Sequence, residues 1–421
     1  MLVIFINMSK IKIENFGPIK NGFQDNDGWL DINKVTVFVG NQGSGKSTVA
    51  KLISIFTWIE KALVRGDYDK KWFERKNRLK NGFLPYHRLE NYLKTDTIIE
   101  YQGNAYHIKY ENEILSIMKF ENLDKHLNNG SSYPLPQIMY VPAERNFLTY
   151  IKGAKELKLS SYSLQEFNTE YDNAKNDMKS IVALPINNTD IEYDKLNKTL
   201  NLKGNNYKIK ITEASSGFQS LVPLYLVSNF LANSVKKQSE SKESMSTEET
   251  ARFKKGVQEI WSNDSLTDEQ KRLALSVLSS KFNKTAFINI VEEPEQNLFP
   301  SSQWQMLQSL LALNNMNIGN KLIITTHSPY LINYLTLVVK AGELKEKIKT
   351  DNQKNDLEKI VPLNAIVNAK NLSIYELDDK SGCIKSLETY EGLPSDENWL
   401  NIMLDEGNEL FAQLLEIQQQ L

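Results

Sequence analysis

The stretch GNQGSGKS, from Gly40 to Ser47, limits the folds open to this chain more than any other, because it fills G-x-x-x-x-G-K-[ST] without a gap. It follows an apolar run, KVTVFVG, and opens a segment whose Val49, Leu52, Ile53, Phe56, Ile59 and Leu63 recur at helical spacing. Strand, glycine-rich loop and helix are the context in which such a loop works. Backbone N–H groups from Gly40 through Asn41, Gln42, Gly43, Ser44 and Gly45 to Thr48 can close around a phosphate. Lys46 adds a positive charge for the β and γ oxygens, and the Ser47 hydroxyl suits Mg2+. The expected fold class is therefore α/β, a P-loop NTPase that binds ATP with Mg2+.

Three further stretches carry chemistry. FINIVEEPEQNLFP is a hydrophobic run that ends in Glu292 and Glu293. A carboxylate at the C-terminal end of a strand beside a phosphate loop can hold Mg2+ through water, and its neighbour can polarise an attacking water. Glu292 is thus the metal candidate and Glu293 the general base, with two solvated acids at a strand end as the plainer reading. LIITTHSP places His327 just beyond another buried run, where it can contact a γ-phosphate or equally be structural. In EASSGFQSLVPLYLV, Ser215, Ser216 and Gly217 open an expected helix whose free N–H groups can face an anion, although no lysine accompanies them. An ordinary N-cap is the alternative.

A chain of 421 residues can hold two domains, or one with a large insertion. The expected division is a core from residues 1–64 and 286–421, a second part at 65–231, and an inserted charged helical hairpin at 232–285, where Lys, Glu and Ser abound. KIKIENF, TDTIIEYQ, AYHIKYE, QIMYVP, TAFINIVEE, NKLIITTHSP and NLSIYELDD read as strands, and a hairpin is expected around Gly204 and Asn205. The net charge of −2 argues against a uniformly basic DNA-coating protein. The single cysteine, Cys383, rules out an internal disulfide and fits a reducing, cytoplasmic setting. MLVIFINMSKIKI suits neither a signal peptide nor a span, so no membrane segment is expected.

Taken in order, Gly40 to Ser47, ASSGFQSL, IVEEPEQNLFP and TTHSP resemble the motifs of ABC-type ATPase heads of the SMC and OLD-like group. ASSGFQSL is similar to the signature LSGGEKSL, with Ser215 at the signature serine and Gly217 at the second glycine. Ser216 replaces the first glycine and Phe218 the acidic residue. IKIENFGPIK resembles the opening strand of these heads, and EEPEQNLFP is close to the EEPExHLHP of OLD-like ATPases. Two departures stand out. Glu292 occupies the position of the usual Asp, and Glu144 with Arg145 stands where these heads place a glutamine that links the Mg2+ site to the helical lobe; a surface salt bridge is the other reading of Glu144.

The resemblance covers most of the chain outside residues 65–130 and 232–285. It implies an ABC-type ATPase core, a mixed sheet flanked by helices with an inserted helical lobe. It also implies a head-to-tail homodimer or larger homo-oligomer, in which Ser215, Ser216 and Gly217 of one copy cover the γ-phosphate held by the loop of the other. Lys46, Glu293 and His327 would be catalytic, and Asn297 and Leu298 would lie on the loop that crosses the interface. No long heptad run and no D-x-D cluster follow; Asp378 and Asp379 are merely adjacent. The chain then resembles the stand-alone ATPase subunits of bacterial anti-phage systems of the PARIS, Septu and retron-associated types. That resemblance implies a switch and scaffold that senses infection, with DNA or a phage protein as trigger and a separate toxin or nuclease as effector. A DNA-repair or DNA-maintenance ATPase of the RecF and SMC kind is the alternative, and a transporter's nucleotide-binding subunit a third, although the insertions and EEPE look unlike one.

Overall fold

The computed structural model describes residues 9–65, 67–120, 133, 135–150, 161–241, 247–279 and 285–419; the apolar start of the chain lies outside them. The strands introduced first are β1 (Ser9–Phe16), β2 (Gly22–Phe23), β3 (Leu30–Ile32), β4 (Val35–Gly40), β5 (Leu93–Gln102), β6 (Tyr106–Glu111), β7 (Ile114–Lys119) and β8 (Pro136–Val141). Four short strands follow, β9 (Val182–Ala183), β10 (Asp190–Asp194), β11 (Thr199–Lys203) and β12 (Lys208–Lys210). Then come β13 (Ala286–Glu292), β14 (Lys321–Thr326), β15 (Leu372–Leu377) and β16 (Cys383–Ser386), and a two-stranded ribbon of β17 (Thr389–Tyr390) and β18 (Leu393–Pro394) ends the series.

The main sheet is seven-stranded and mixed, in the order β2-β16-β15-β4-β14-β13-β8. From β15 to β8 its strands run parallel, while β16 pairs antiparallel with β15. β4, β8 and β13 are buried at every residue, which explains why they read as unbroken apolar runs instead of alternating ones. Because β4, β14 and β13 are neighbours and parallel, the three segments that leave their C-terminal ends emerge along one sheet edge. Those segments are the phosphate loop, His327 and the Glu292–Glu293 pair.

Helix α1 (Lys46–Arg65) has sixteen buried residues out of twenty. It is covered on two sides. Its Ile53, Phe56 and Ile59 share one core with Phe38, Ile290 and Ile323 of the main sheet and with Ile11, Ile13, Ile99 and Tyr101 of a five-stranded antiparallel sheet, β3-β1-β5-β6-β7. The Glu60 carboxylate, buried in that layer, accepts hydrogen bonds from the Ala105 and Tyr106 N–H groups and from the Tyr101 and Tyr133 hydroxyls, at 2.7 to 3.3 Å. Burial nonetheless raises its pKa.

On the opposite face, Val37, Val39, Val291 and Ile324 pack in a second core with α2 (Tyr162–Asp177), α3 (Ser216–Ser241), α6 (Pro300–Asn314) and α7 (Pro329–Lys347). Between α2 and α3 lies the antiparallel sheet β12-β11-β10-β9, which contains the hairpin around Gly204. Helix α3 runs unbroken through residue 232 to Ser241, so 232–241 continue that helix. Helices α4 (Thr247–Trp261) and α5 (Asp268–Ser279) then form a hairpin. Its buried Arg272 donates to the Phe83 carbonyl and stacks on Trp58, Phe83 and Tyr86, while Trp261 packs on Tyr68 and Trp72. Helix α8 (Trp399–Gln419), absent from the sequence reading, leaves Ile402, Leu410, Phe411 and Leu414 exposed. Among the described residues, no helix is long and apolar enough to cross a membrane.

Candidate nucleotide-binding site

The loop after β4 is shaped by glycine. Gly40 has φ +150 and lies so close to β15 that a Cβ would meet the Leu377 carbonyl oxygen at 2.3 Å; Gly43 has φ +78 with nothing within 4 Å of an added Cβ, so the mouth of the loop is open. Lys46, 5% exposed, donates through Nζ to the carbonyls of Gly40 (2.8 Å) and Asn41 (2.7 Å). Burial lowers its pKa, and the nearby charges of Glu293, Glu295, Glu292 and Asp379 oppose that shift. The Ser44 hydroxyl is buried without a partner among the described residues. A loop with an open mouth at Gly43, an ammonium held by carbonyls and an unsatisfied buried hydroxyl fit a phosphate chain.

Strand β13 delivers Glu292 and Glu293 to the same edge. Glu292 is 5% exposed, and its Oε2 accepts the Ala143 N–H at 3.1 Å. Glu293 has φ +45, a left-handed conformation that costs a non-glycine residue about 1–3 kcal/mol and persists only where surroundings enforce it. Here its N–H donates to the Thr325 carbonyl (2.9 Å) and its carbonyl accepts from Arg145 Nη2 (2.6 Å). The turn brings its side chain to His327, with Oε1 and Nε2 2.7 Å apart. Glu295, half-buried, holds the histidine from behind: Oε1 accepts from the Thr326 hydroxyl (2.7 Å) and the His327 N–H (2.9 Å). The third acid of EEPE was the signal for it.

The hydrogen bond between them moves the two titrations apart. It holds the Glu293 carboxyl below its ordinary value of 4.5 and raises the His327 imidazole above its ordinary 6.5. The imidazole's share of stability is fully present below pH 6.5 and lost as pH rises through its raised pKa; the carboxylate's share is fully present above pH 4.5 and lost as pH falls through its depressed pKa. The pair is therefore intact between pH 4.5 and 6.5 and weakens on either side. Melting temperatures measured across pH should show this shoulder in the wild type and lose it in His327→Gln; an unchanged profile in the variant would refute the pairing.

The segment around Ser215 is also placed by contacts to this edge. Helix α3 starts at Ser216, and a Cβ on Gly217 would meet the Asn297 carbonyl oxygen at 2.8 Å, so only glycine allows the helix to sit on the loop that follows Glu293. Asn297 Nδ2 donates to the Ser220 hydroxyl at 3.0 Å. The Gln219 amide, donating to the carbonyls of Ile211, Thr212 and Ala214, fixes the chain leading into the helix. Ser215 and Ser216 are exposed, and among the described residues their hydroxyls have no partner, so the N-cap reading finds no bond to support it. Exposed aromatic rings lie alongside: Tyr150, whose hydroxyl donates to Gln219, and Phe299, beyond Asn297.

Glu144 pairs with Arg88 at 3.3 Å, both about half exposed, which is the salt-bridge reading and contributes about 1 kcal/mol at most. Its neighbour is different. Arg145 is fully buried and donates to four carbonyls: Pro142 and Glu292 from Nη1 (3.2 and 2.7 Å), Glu293 from Nη2 (2.6 Å) and Ser220 from Nε (3.0 Å). Asp378 serves a tight turn, bonding the Lys380 N–H and the Ser381 N–H and hydroxyl.

No family model and no curated protein matches this chain. Solved structures do resemble it distantly. An SMC head domain from Thermotoga maritima is 11% identical, with 91% of this chain and 99% of that chain covered at a TM-score of 0.33. An Smc head with an extended coiled coil, bound to the C-terminal domain of ScpA and derived from Pyrococcus furiosus, is 10% identical, with 97% and 100% covered at 0.30. A nucleotide-free ATP-binding cassette from an ABC transporter is 11% identical, with 91% and 92% covered at 0.29.

Proposed function

We propose that the chain is an ABC-type ATPase, a nucleotide-dependent switch whose two copies pack head to tail and share each ATP. One observation carries this reading. A single chain offers both a phosphate loop, with Lys46, Glu293 and His327 beside it, and an exposed helix start whose Ser215 and Ser216 hydroxyls have no partner among the described residues. A helix N-terminus with hydroxyls binds an anion that is already largely neutralised, so a second lysine is unnecessary.

In the composite site Lys46 neutralises the β and γ oxygens, and Ser47 and Glu292 are the residues that would hold Mg2+. Bound there, Mg2+ would withdraw charge from the phosphate oxygens and orient them. Glu293, with Oε1 on His327 and Oε2 unpartnered among the described residues, takes the proton of the attacking water. His327, its pKa raised, donates to the γ-phosphate once its Nε2 turns from Glu293 to the bound nucleotide, and Ser215, Ser216 and Gly217 of the second copy complete the shell. In this reading the closed, ATP-bound assembly controls a separate toxin or nuclease in a cytoplasmic anti-phage system. The EEPE motif and the helical insertion support it.

Complementation tests the sharing. Lys46→Ala and Ser215→Arg subunits, each inactive alone, should regain about a quarter of wild-type turnover when mixed in equal amounts, because half of the dimers then hold one intact site. No recovery would remove the shared site. Stimulation of wild-type turnover by duplex DNA, lost at high salt, would favour the DNA-maintenance alternative.

A further inference from the structure

We propose that Arg145 is the positioning residue that locks the signature-like helix start to the catalytic carboxylates of its own chain, so that each copy presents Ser215 to its partner in a register set by its own Glu292–Glu293 turn. This rests on the shared-site reading above.

Burying this residue is costly. Arg145 is 0% exposed, the largest fully buried side chain among the described residues, yet it forms no direct ion pair there. A buried cation bonded only to carbonyls pays a desolvation penalty that an apolar side chain of similar volume would avoid. Burial lowers its pKa to about 10, against the attraction of Glu295, Glu293, Glu292 and Glu144.

What the guanidinium supplies in return is shape. Its planar fork has donors on three sides, and here those sides meet three separate segments: the turn after β8 at Pro142, the end of β13 at Glu292 and Glu293, and the first turns of α3 at Ser220. Ser220 lies five residues after Ser215, little more than one helical turn. Asn297 adds a second tie from the loop after Glu293 to the same Ser220. The left-handed backbone of Glu293, held by Arg145 and Thr325, is thus fixed to the helix start through one rigid planar group. A lysine carries its three donors on one nitrogen and cannot span three separate segments.

The test places the substitution away from the working carboxylates. In the Lys46→Ala plus Ser215→Arg mixture, the intact site takes its loop and carboxylates from the Ser215→Arg subunit and its signature helix from the Lys46→Ala subunit. Adding Arg145→Lys to the Lys46→Ala subunit therefore alters the intact site only through what that subunit presents in trans, the helix start and the Asn297 loop tied to it. Turnover of the mixture should fall about tenfold or more, since an ångström of misplacement costs that much or greater. The KM for ATP should hardly change. Turnover equal to that of the parent mixture would overturn the proposal while leaving the shared site standing; a parent mixture without recovery would bring down both. Cooperative melting of the Arg145→Lys subunit is checked first, and Arg145→Gln is read in the same way if the lysine variant does not fold.

Discussion

On the proposed function, Glu293→Gln should lower ATP turnover by about 100-fold or more, the share that a general base contributes, while ATP stays bound. The amide keeps the length of the side chain and can still accept a hydrogen bond from His327 Nε2, so the geometry of the pair survives and only the capacity to take a proton is lost. Lys46 and the phosphate loop are untouched. The ATP-bound form should therefore accumulate, and light scattering with ATP and Mg2+ should show a mass of at least two chains that persists after the wild type has returned to its starting mass. Turnover equal to that of the wild type would exclude Glu293 as the base.

Lys46→Ala should act one step earlier, on binding. The substitution removes the one ammonium in the loop and leaves the Gly40 and Asn41 carbonyls without that donor. Hydrogen bonds to charged groups are worth about 1.5–3 kcal/mol each, so losing the contacts to two phosphate oxygens should weaken ATP binding by about 100-fold or more. Titration calorimetry with ATP and Mg2+ measures this directly. An unaltered affinity would mean that the loop holds its ligand in some other way. The ATP-driven rise in mass should vanish in the same variant.

These residues were legible in the sequence because their chemistry forces a local pattern. A loop that cradles phosphate needs glycines at fixed intervals, and the strands bearing Glu292 and His327 are buried on both faces and so read as apolar runs. What the sequence hid depends on distant partners. Strand β1 pairs with β5 some ninety positions away, as Ile11 with Tyr101 and Ile13 with Ile99, and no local signal names that neighbour. Glu60 looks like a solvated acid on a helix until the second sheet closes over it. Arg145 sits in a polar stretch, and only the arrival of α3, seventy-five positions later, turns it into a buried hub. The same holds for Gln219, whose amide ties the start of α3 to three carbonyls of the segment before it.

Helix α3 has a mechanical consequence. With 26 residues it spans about 39 Å, from the rim where Ser216 is exposed to the stretch that leads toward the α4–α5 hairpin. Pro223 removes one rung of its backbone ladder near the fixed end, so bending concentrates there. Swinging the remainder by about 10° would carry the far tip through some 5 Å, roughly one helical turn, so that on the proposed function a displacement too small to notice beside a γ-phosphate would become one that a partner docked at the tip could not ignore.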